Sequence, residues 1–391
     1  MYTINKHMLW RPTRKHSTFE ISFTKSITNR YNTLMQNVAS IVKMIAAFFT
    51  SAVCCSKYNS GAFKRNVTVL LFLWVSPGVF AQPFQPVNAN ATPEAKALLN
   101  FLYSIKGKAI LSGEHGGGTR FLDSTKAITR KYPALWGSDF IWSGPTGGGQ
   151  KVVDEAIANH SKGYIIALMW HQGRPNDQPP YGFKQSVQAK MTDEEWEQLI
   201  TPNTEMNKKW IAQVDTIAFY LKELQAAHVP VLWRPYHEMN GVWFWWGNRP
   251  GKNGIQKLWV MMYDRFVNYH HLNNLLWVWG ANGPRDIPMD EAYSYKGFYP
   301  GAKYVDILGA DVYHSDYEQK DYNELLKLAD GKIIALTEVG ELPKPEILSA
   351  QPEWTWFMIW TNFLWANNTH EQVNAIFSRP ETISLGDKKV Y

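Results

Sequence analysis

The 391 residues carry 40 Lys and Arg against 34 Asp and Glu, a net charge of +6, with 45% hydrophobic and 14% aromatic content. Such a chain has ample material for a large core, which excludes a disordered or low-complexity protein. The basic excess is confined to the start: residues 1–66 hold ten Lys and Arg and one acid, Glu20, a net +9 that leaves residues 67–391 at −3. That distribution gives no support for a nucleic-acid partner.

In chain order, Lys64 and Arg65 precede an apolar run, Val67 to Val75, in which Thr68 is the one polar residue. Pro77 and Gly78 break it, and Val79 and Ala81 place small residues at −3 and −1 before Gln82. This order predicts a leader over residues 1–81 containing a secretory signal, with its apolar region at about 67–79, and a secreted mature chain. The run is shorter than the roughly 20 residues that span a bilayer, so no stable membrane insertion is expected after cleavage. The leader is long for a signal, which leaves Met44 open as an internal start and Ile45–Cys55 as a competing signal core. Both cysteines, Cys54 and Cys55, fall in the leader. A mature chain starting at Gln82 therefore has neither a disulfide framework nor a thiolate site.

Residues 82–96 are expected to form a loose polar linker, and residues 97–391 a single domain. Thr92, Pro93 and Glu94 suit the start of a helix, and Ala97, Leu98, Phe101 and Leu102 share one of its faces. A unit then repeats: an apolar strand ending in polar or aromatic residues, followed by an amphipathic helix. The strands are expected at Ala109–Ser112, Ala134–Trp136, Tyr164–Met169, Val229–Trp233, Leu275–Trp279, Val305–Gly309, Lys332–Leu336 and Trp354–Ile359. Strands that are apolar throughout are buried on both faces, as in a parallel sheet, and eight such units predict an α/β fold, a single (β/α)₈ barrel. Helical stripes fall at Trp210–Ala227 and Leu258–Asn268, and the long stretch Gln172–Thr201 is expected to cap part of a cleft.

The chemistry concentrates in Val231–Gly247, VLWRPYHEMNGVWFWWG, where an apolar strand runs into Arg234, His237 and Glu238, then Trp243, Phe244, Trp245 and Trp246. Strand C-terminal ends are where α/β barrels hold their active sites, and indole faces suit sugar rings. Glu238 and Glu338 lie one hundred residues apart at the ends of the fourth and seventh strands. Three barrel units separate them, so both face one cleft, as glycosidic hydrolysis requires of two carboxylates. Apolar neighbours suit Glu238 to the acid role, although Arg234 opposes that shift; Glu338 suits the nucleophile. His171 and His237 either bond sugar hydroxyls and tune the glutamates or are satisfied buried histidines. Arg234 either orients the nucleophile or pairs structurally with Asp139 or Asp311. Tyr313 and Trp360 either bond or stack beneath a sugar or simply pack. The glycine runs 116–118 and 147–149 lack a phosphate-loop Lys and read as cleft loops. No His/Asp/Glu cluster has metal-ligand spacing, so no metal is expected.

From residue 97 to the C-terminus the sequence resembles glycoside hydrolase family 26, and within it the β-mannanases. The resemblance rests on RPYHEMNGVWFWWG, with LSGEHGG, GSDF, MWH, WVWGAN, DVYH, TEVG and FMIW similar to family segments and in the family's order. It implies a (β/α)₈ barrel and endo-acting cleavage of β-1,4-mannosidic bonds in mannan, glucomannan or galactomannan. It further implies retention by double displacement, with Glu238 as acid/base, Glu338 as nucleophile and no cofactor. It implies His171, His237, Trp243, Tyr313 and Trp360 as contacts around the sugar at the cleavage point, while Arg234 is a candidate substrate-binding residue on the reading of the residues alone. The same mechanism on mixed-linkage β-glucan or β-1,3-xylan remains an alternative, as does a non-catalytic polysaccharide-binding barrel. A monomer with a polysaccharide as its partner is expected.

Overall fold

The computed structural model describes residues 84–116, 119–140 and 148–387. The predicted leader, its signal, its two apolar stretches, Cys54 and Cys55 lie outside the described residues. Eight parallel strands close into a barrel: β1 (Ile110–His115), β2 (Leu135–Asp139), β3 (Ile165–Trp170), β4 (Val231–Pro235), β5 (Leu275–Asn282), β6 (Ile307–Val312), β7 (Ile333–Val339) and β8 (Trp354–Trp360). Each pairs with its neighbours in sequence, and β8 returns to β1. A two-residue strand, β9 (Thr382–Ile383), pairs with Ile110 and Leu111 at the start of β1, where β2 has not yet joined.

All eight predicted strands are present; each starts within two residues of the expected position and runs one to three residues further, β2 for instance ending at Asp139 in place of Trp136. Polar residues read as post-strand loop, such as Asp139, Asn282, Asp311 and Glu338, are in fact ladder-bonded strand residues. Their polar side chains did not end the strands because the barrel interior offers each a partner.

The helices are α1 (Pro93–Ile105), α2 (Thr119–Thr129), α3 (Gly149–His160), α4 (Asp193–Ile200), α5 (Glu205–Ala226), α6 (Ile255–Tyr263), α7 (Gln319–Ala329), α8 (Pro345–Ala350), α9 (Thr361–Asn367) and α10 (His370–Phe377). No helix among the described residues is long and apolar enough to cross a membrane. The start of α1 follows the predicted capping: the Thr92 hydroxyl accepts from the Ala95 amide at 3.2 Å, with Pro93 in the first turn. Leu98, Leu99 and Leu102 of α1 join Leu111, Leu232, Leu276, Ile307 and Trp356 in a core that plugs the barrel's N-terminal end. A second, larger core lies between the strands and the surrounding helices. Two cores, inside and outside one sheet, explain why the strands lack hydrophobic alternation.

Two expectations change. The stretch before α1 is packed, not loose: Asn88 is buried and bonds the Leu272 carbonyl and the Asn273 side chain, and the Val87 amide bonds Asp306 at 2.7 Å. The segment 172–201 has structure of its own, a π-turn at Phe183–Val187 and α4, which a Thr192–Glu195 capping box starts. Phe183 reaches the edge of the cleft, so the capping role stands.

Candidate active site

Inward-facing residues at the strands' C-terminal ends build the floor of a cleft of about 780 Å³. His115, Asp139, His171, Glu338 and Trp360 reach its wall from β1, β2, the end of β3, β7 and β8. Below them, Arg234 is buried at the end of β4 and directs its guanidinium across the barrel axis. Nη1 donates to Asp311 at 2.9 Å, and Nη2 bonds Glu338. The room for it comes from Gly280: a Cβ there would stand 2.9 Å from Arg234 Cδ.

Glu338 enters the cleft through a break in the strand's alternation. Ile333, Ala335 and Thr337 face inward, so a regular strand would turn Glu338 toward the helices. Between β6 and β7, however, Ala310 pairs with Leu336 and Asp311 with Glu338, so two steps on β7 match one on β6. This bulge turns both Thr337 and Glu338 inward. The Thr337 hydroxyl donates to Asp311 at 2.6 Å, and the Tyr313 hydroxyl donates to Glu338 at 2.5 Å. Burial alone would raise the Glu338 carboxyl, but the Arg234 charge, with bonds from Tyr313 and Trp360, outweighs it and holds the group below the usual range.

Glu238 lies beyond β4, in a turn where Tyr236 has φ 46° and Glu238 φ 51°. Two non-glycine residues in the left-handed region are costly, and the surroundings hold them there. The Glu238 amide donates to the Gly280 carbonyl at 2.8 Å, and the buried Tyr236 hydroxyl accepts from Trp210 Nε1 at 2.7 Å. Trp246 Nε1 donates to the His237 carbonyl at 2.8 Å. The carboxylate accepts from Trp243 Nε1 at 2.6 Å and Asn282 Nδ2 at 2.7 Å. Burial and then the Glu338 charge push Glu238 up to about 7, against the opposing pull of those donors and Arg234.

Oxygens of Glu238, Asp311 and Glu338 lie within 4.8 Å of one another. The positive charge that such a trio invites is already supplied by the Arg234 guanidinium, which bonds two of the three.

His171 Nδ1 and backbone amide both engage Asp139, and the Asp139 charge overcomes burial to raise the His171 pKa. That leaves Nε2 as the ring atom for a ligand. His237 is neutral, lowered far by burial and by the charges of His171 and Arg234; its Nε2 stands 4.0 Å from Glu338, beyond hydrogen-bond reach. Both histidines line the cleft and their rings meet edge to face at 4.4 Å.

Seven of the eight expected site residues therefore reach the cleft wall. Arg234 does not; it lies beneath and bonds both predicted alternatives, Glu338 and Asp311, while Asp139 belongs to His171. Of the four aromatics after Glu238, only Trp243 and Phe244 line the cleft; Trp245 and Trp246 are core anchors. Gly116 lines it as expected, whereas Gly149 opens α3, where a Cβ would collide with Tyr220 at 2.3 Å. Asn282 was missed as a site residue, although its place after the apolar run LLWVWGA was visible.

A family model described as glycosyl hydrolase family 26 matches residues 87–387. The chain belongs to glycosyl hydrolase family 26. Among family relatives, the mannan endo-1,4-beta-mannosidase of Thermothelomyces thermophilus is 34% identical over 77% of this chain and 62% of its own. Mannan endo-1,4-beta-mannosidase A of a Piromyces species is 34% identical over 77% of this chain and 50% of its own. This chain thus spans about half to three-fifths of those two curated relatives. The GH26A structure from Muricauda sp. aligns with a TM-score of 0.74 and 54% identity, covering 76% of this chain and 98% of that one. A β-mannanase from a symbiotic protist of the termite Reticulitermes speratus, solved with a gluco-manno-oligosaccharide, aligns at 0.66 with 31% identity, covering 77% of this chain and 96% of that one. The family membership agrees with the resemblance read from the motifs, and the barrel with the predicted fold.

Proposed function

We propose that this family 26 chain is an endo-acting retaining glycoside hydrolase that cleaves β-1,4-mannosidic bonds in mannan, glucomannan or galactomannan. The observation that carries the reaction type is the pairing of Glu238 and Glu338: oxygens within 4.8 Å, one carboxyl raised to about 7 and the other held low. Retaining enzymes hold their carboxyl groups about 5–5.5 Å apart, whereas inverting ones leave roughly 6.5–9.5 Å for a water. Oxygens this close leave no room for that water between them, which supports the first class.

In the first step the Glu338 carboxylate attacks the anomeric carbon while Glu238 gives its proton to the departing glycosidic oxygen. The bond from that carbon to the oxygen breaks, and a glycosyl ester on Glu338 forms. In the second, ionised Glu238 takes a proton from water, the water oxygen attacks the same carbon, and Glu338 leaves as carboxylate. Arg234 keeps Glu338 ionised from below. Trp243, Tyr313, His171, His237 and Trp360 surround the sugar, presenting flat faces and polar edges.

Mannan as substrate is supported by the names of the relatives and of the protist enzyme. Export rests on the leader's charge and apolar order, with Gln82 as the first mature residue and a monomeric barrel as the working unit. Reducing-sugar release from a chain starting at Gln82 on mannan, mixed-linkage β-glucan and β-1,3-xylan tests the reading. Release from mannan supports it; release from only one of the others overturns the substrate but keeps the mechanism. Binding without release from any would favour a non-catalytic polysaccharide-binding barrel.

A further inference from the structure

We infer that Arg285 is a positioning residue for the acid/base: it fixes the two hydrogen-bond donors that hold Glu238, and so sets how readily Glu238 switches between acid and base. The inference rests on the reading of Glu238 as acid/base.

Arg285 follows β5 and touches both side chains that bond the Glu238 carboxylate. Its Nη1 donates to Asn282 Oδ1 at 2.6 Å, and its guanidinium carbon lies 4.9 Å from the Trp243 ring centre. Asn282 Nδ2 donates to one Glu238 oxygen and Trp243 Nε1 to the other.

A guanidinium has donors and no acceptor. Facing Asn282, it forces the amide oxygen toward itself and the amide NH₂ toward Glu238, which removes the ambiguity usual for an asparagine side chain. An NH₂ group stabilises the carboxylate, the form needed as base in the second step. A flipped amide would present its oxygen and stabilise the carboxylic acid instead. Arg285 therefore acts on Glu238 through the orientation of a neutral neighbour, and holds Trp243 against its plane at the same time.

Arg285 is itself well anchored. Nε donates to the Asp290 carbonyl at 3.0 Å, and Nη2 to the Asp290 carboxylate at 2.7 Å. Its backbone exchanges two hydrogen bonds with Ala292, which closes the loop 285–292. Asn282 is fixed by other means at its backbone, where its amide bonds Asn240 Oδ1 and its carbonyl accepts from Asn240 Nδ2, each at 2.8 Å. Loss of Arg285 thus frees the Asn282 side chain without releasing its backbone, and a merely structural brace would not have this arrangement.

The test is the pH profile of kcat/KM for the mature enzyme and for Arg285→Met and Arg285→Lys. With Arg285→Met the amide is free to flip, the protonated form of Glu238 gains, and the basic limb is expected to move up by roughly half to one pH unit. Turnover of a dinitrophenyl β-mannoside, whose leaving group needs no proton, is expected to become limited by the second step: below the Glu238 pKa, kcat falls by up to about three- to tenfold, in line with that shift, while kcat/KM holds. Arg285→Lys keeps a donor facing Asn282, and is expected to restore the basic limb. A basic limb unmoved in Arg285→Met, in an enzyme that still turns over, overturns the inference. So does Arg285→Lys failing to restore a limb that Arg285→Met has moved. If Arg285→Met does not fold, Asp290→Ala loosens the same guanidinium, and an unmoved limb there overturns the inference equally. Inactivity of the parent enzyme on mannan, mixed-linkage β-glucan and β-1,3-xylan alike would instead sink the reading of Glu238 itself, so the two failures are distinct.

Discussion

Asp311 and Glu338 stand opposite each other across the β6–β7 ladder only because β7 uses one more residue than β6 to reach that point. The extra residue, Thr337, is not idle: its hydroxyl donates to Asp311, which in turn accepts from Arg234, the partner of Glu338. A local irregularity of backbone therefore turns Glu338 into the cleft and sets a hydroxyl on the carboxyl group that holds its partner Arg234.

Thr337→Val should expose the value of that link. The shape is kept and the donor to a fully buried carboxylate is lost, so a destabilisation of about 1–3 kcal/mol is expected from denaturant unfolding. Activity should fall with it, since Arg234 loses a fixed partner. An unfolding midpoint equal to the parent's would mean the hydroxyl contributes nothing there.

Replacing Arg234 with Met should move the acid limb of kcat/KM. Glu338 must be ionised to attack, and the Arg234 charge is what outweighs its burial. Without that charge its pKa rises, so the acid limb shifts to higher pH, by about 1–3 units for the loss of a contacting opposite charge. An acid limb left in place would assign that limb to another group.

The parent profile should be a bell on the acid side of neutrality. Its basic limb, near pH 7, reports Glu238 losing the proton it must donate, and its acid limb, below the ordinary glutamate range, reports Glu338. A rate that stays flat up to pH 9 would contradict the assignment of the acid.

Stability should run the other way from the usual carboxylate. Glu238 rises from its ordinary 4.5 to about 7 on folding, so between those values the native state binds more protons than the unfolded one. Stability from this group is fully present below about pH 4.5 and is lost as pH rises through 7. Glu238→Gln removes the titration, and is expected to raise Tm at pH 7.5, by up to about 3 kcal/mol of stability, while abolishing turnover of natural substrate. A lower Tm at that pH would show that the hydrogen bonds to the carboxylate outweigh its burial.

The barrel was legible because its signals are local and repeated. Each strand carries an apolar run, each run ends in polar or aromatic residues, and eight repeats leave little choice of architecture. The glutamates were legible for the same reason, standing at two of those ends. The true ends of the strands were not, because Asp139, Asn282 and Asp311 are polar residues whose partners come from other β/α units of the barrel. Nor was the division of labour within WFWW: adjacent aromatics look alike until the turn at Glu238 sends Trp243 to the cleft and Trp246 to the core. The bulge at Thr337 depends on the register of β7 against both neighbours, which no stretch of one strand contains.

The central claim is a glycosyl–enzyme on Glu338. Incubation with a 2-fluoro β-mannosyl donor bearing a good leaving group, which slows the second step more than the first, allows the intermediate to be caught. Peptide mass spectrometry of the digested protein is expected to find the added sugar on the peptide containing Thr337, Glu338 and Val339, and no addition in Glu338→Ala. An unmodified peptide there, with the first-formed product of natural substrate inverted at its anomeric carbon, would contradict the account.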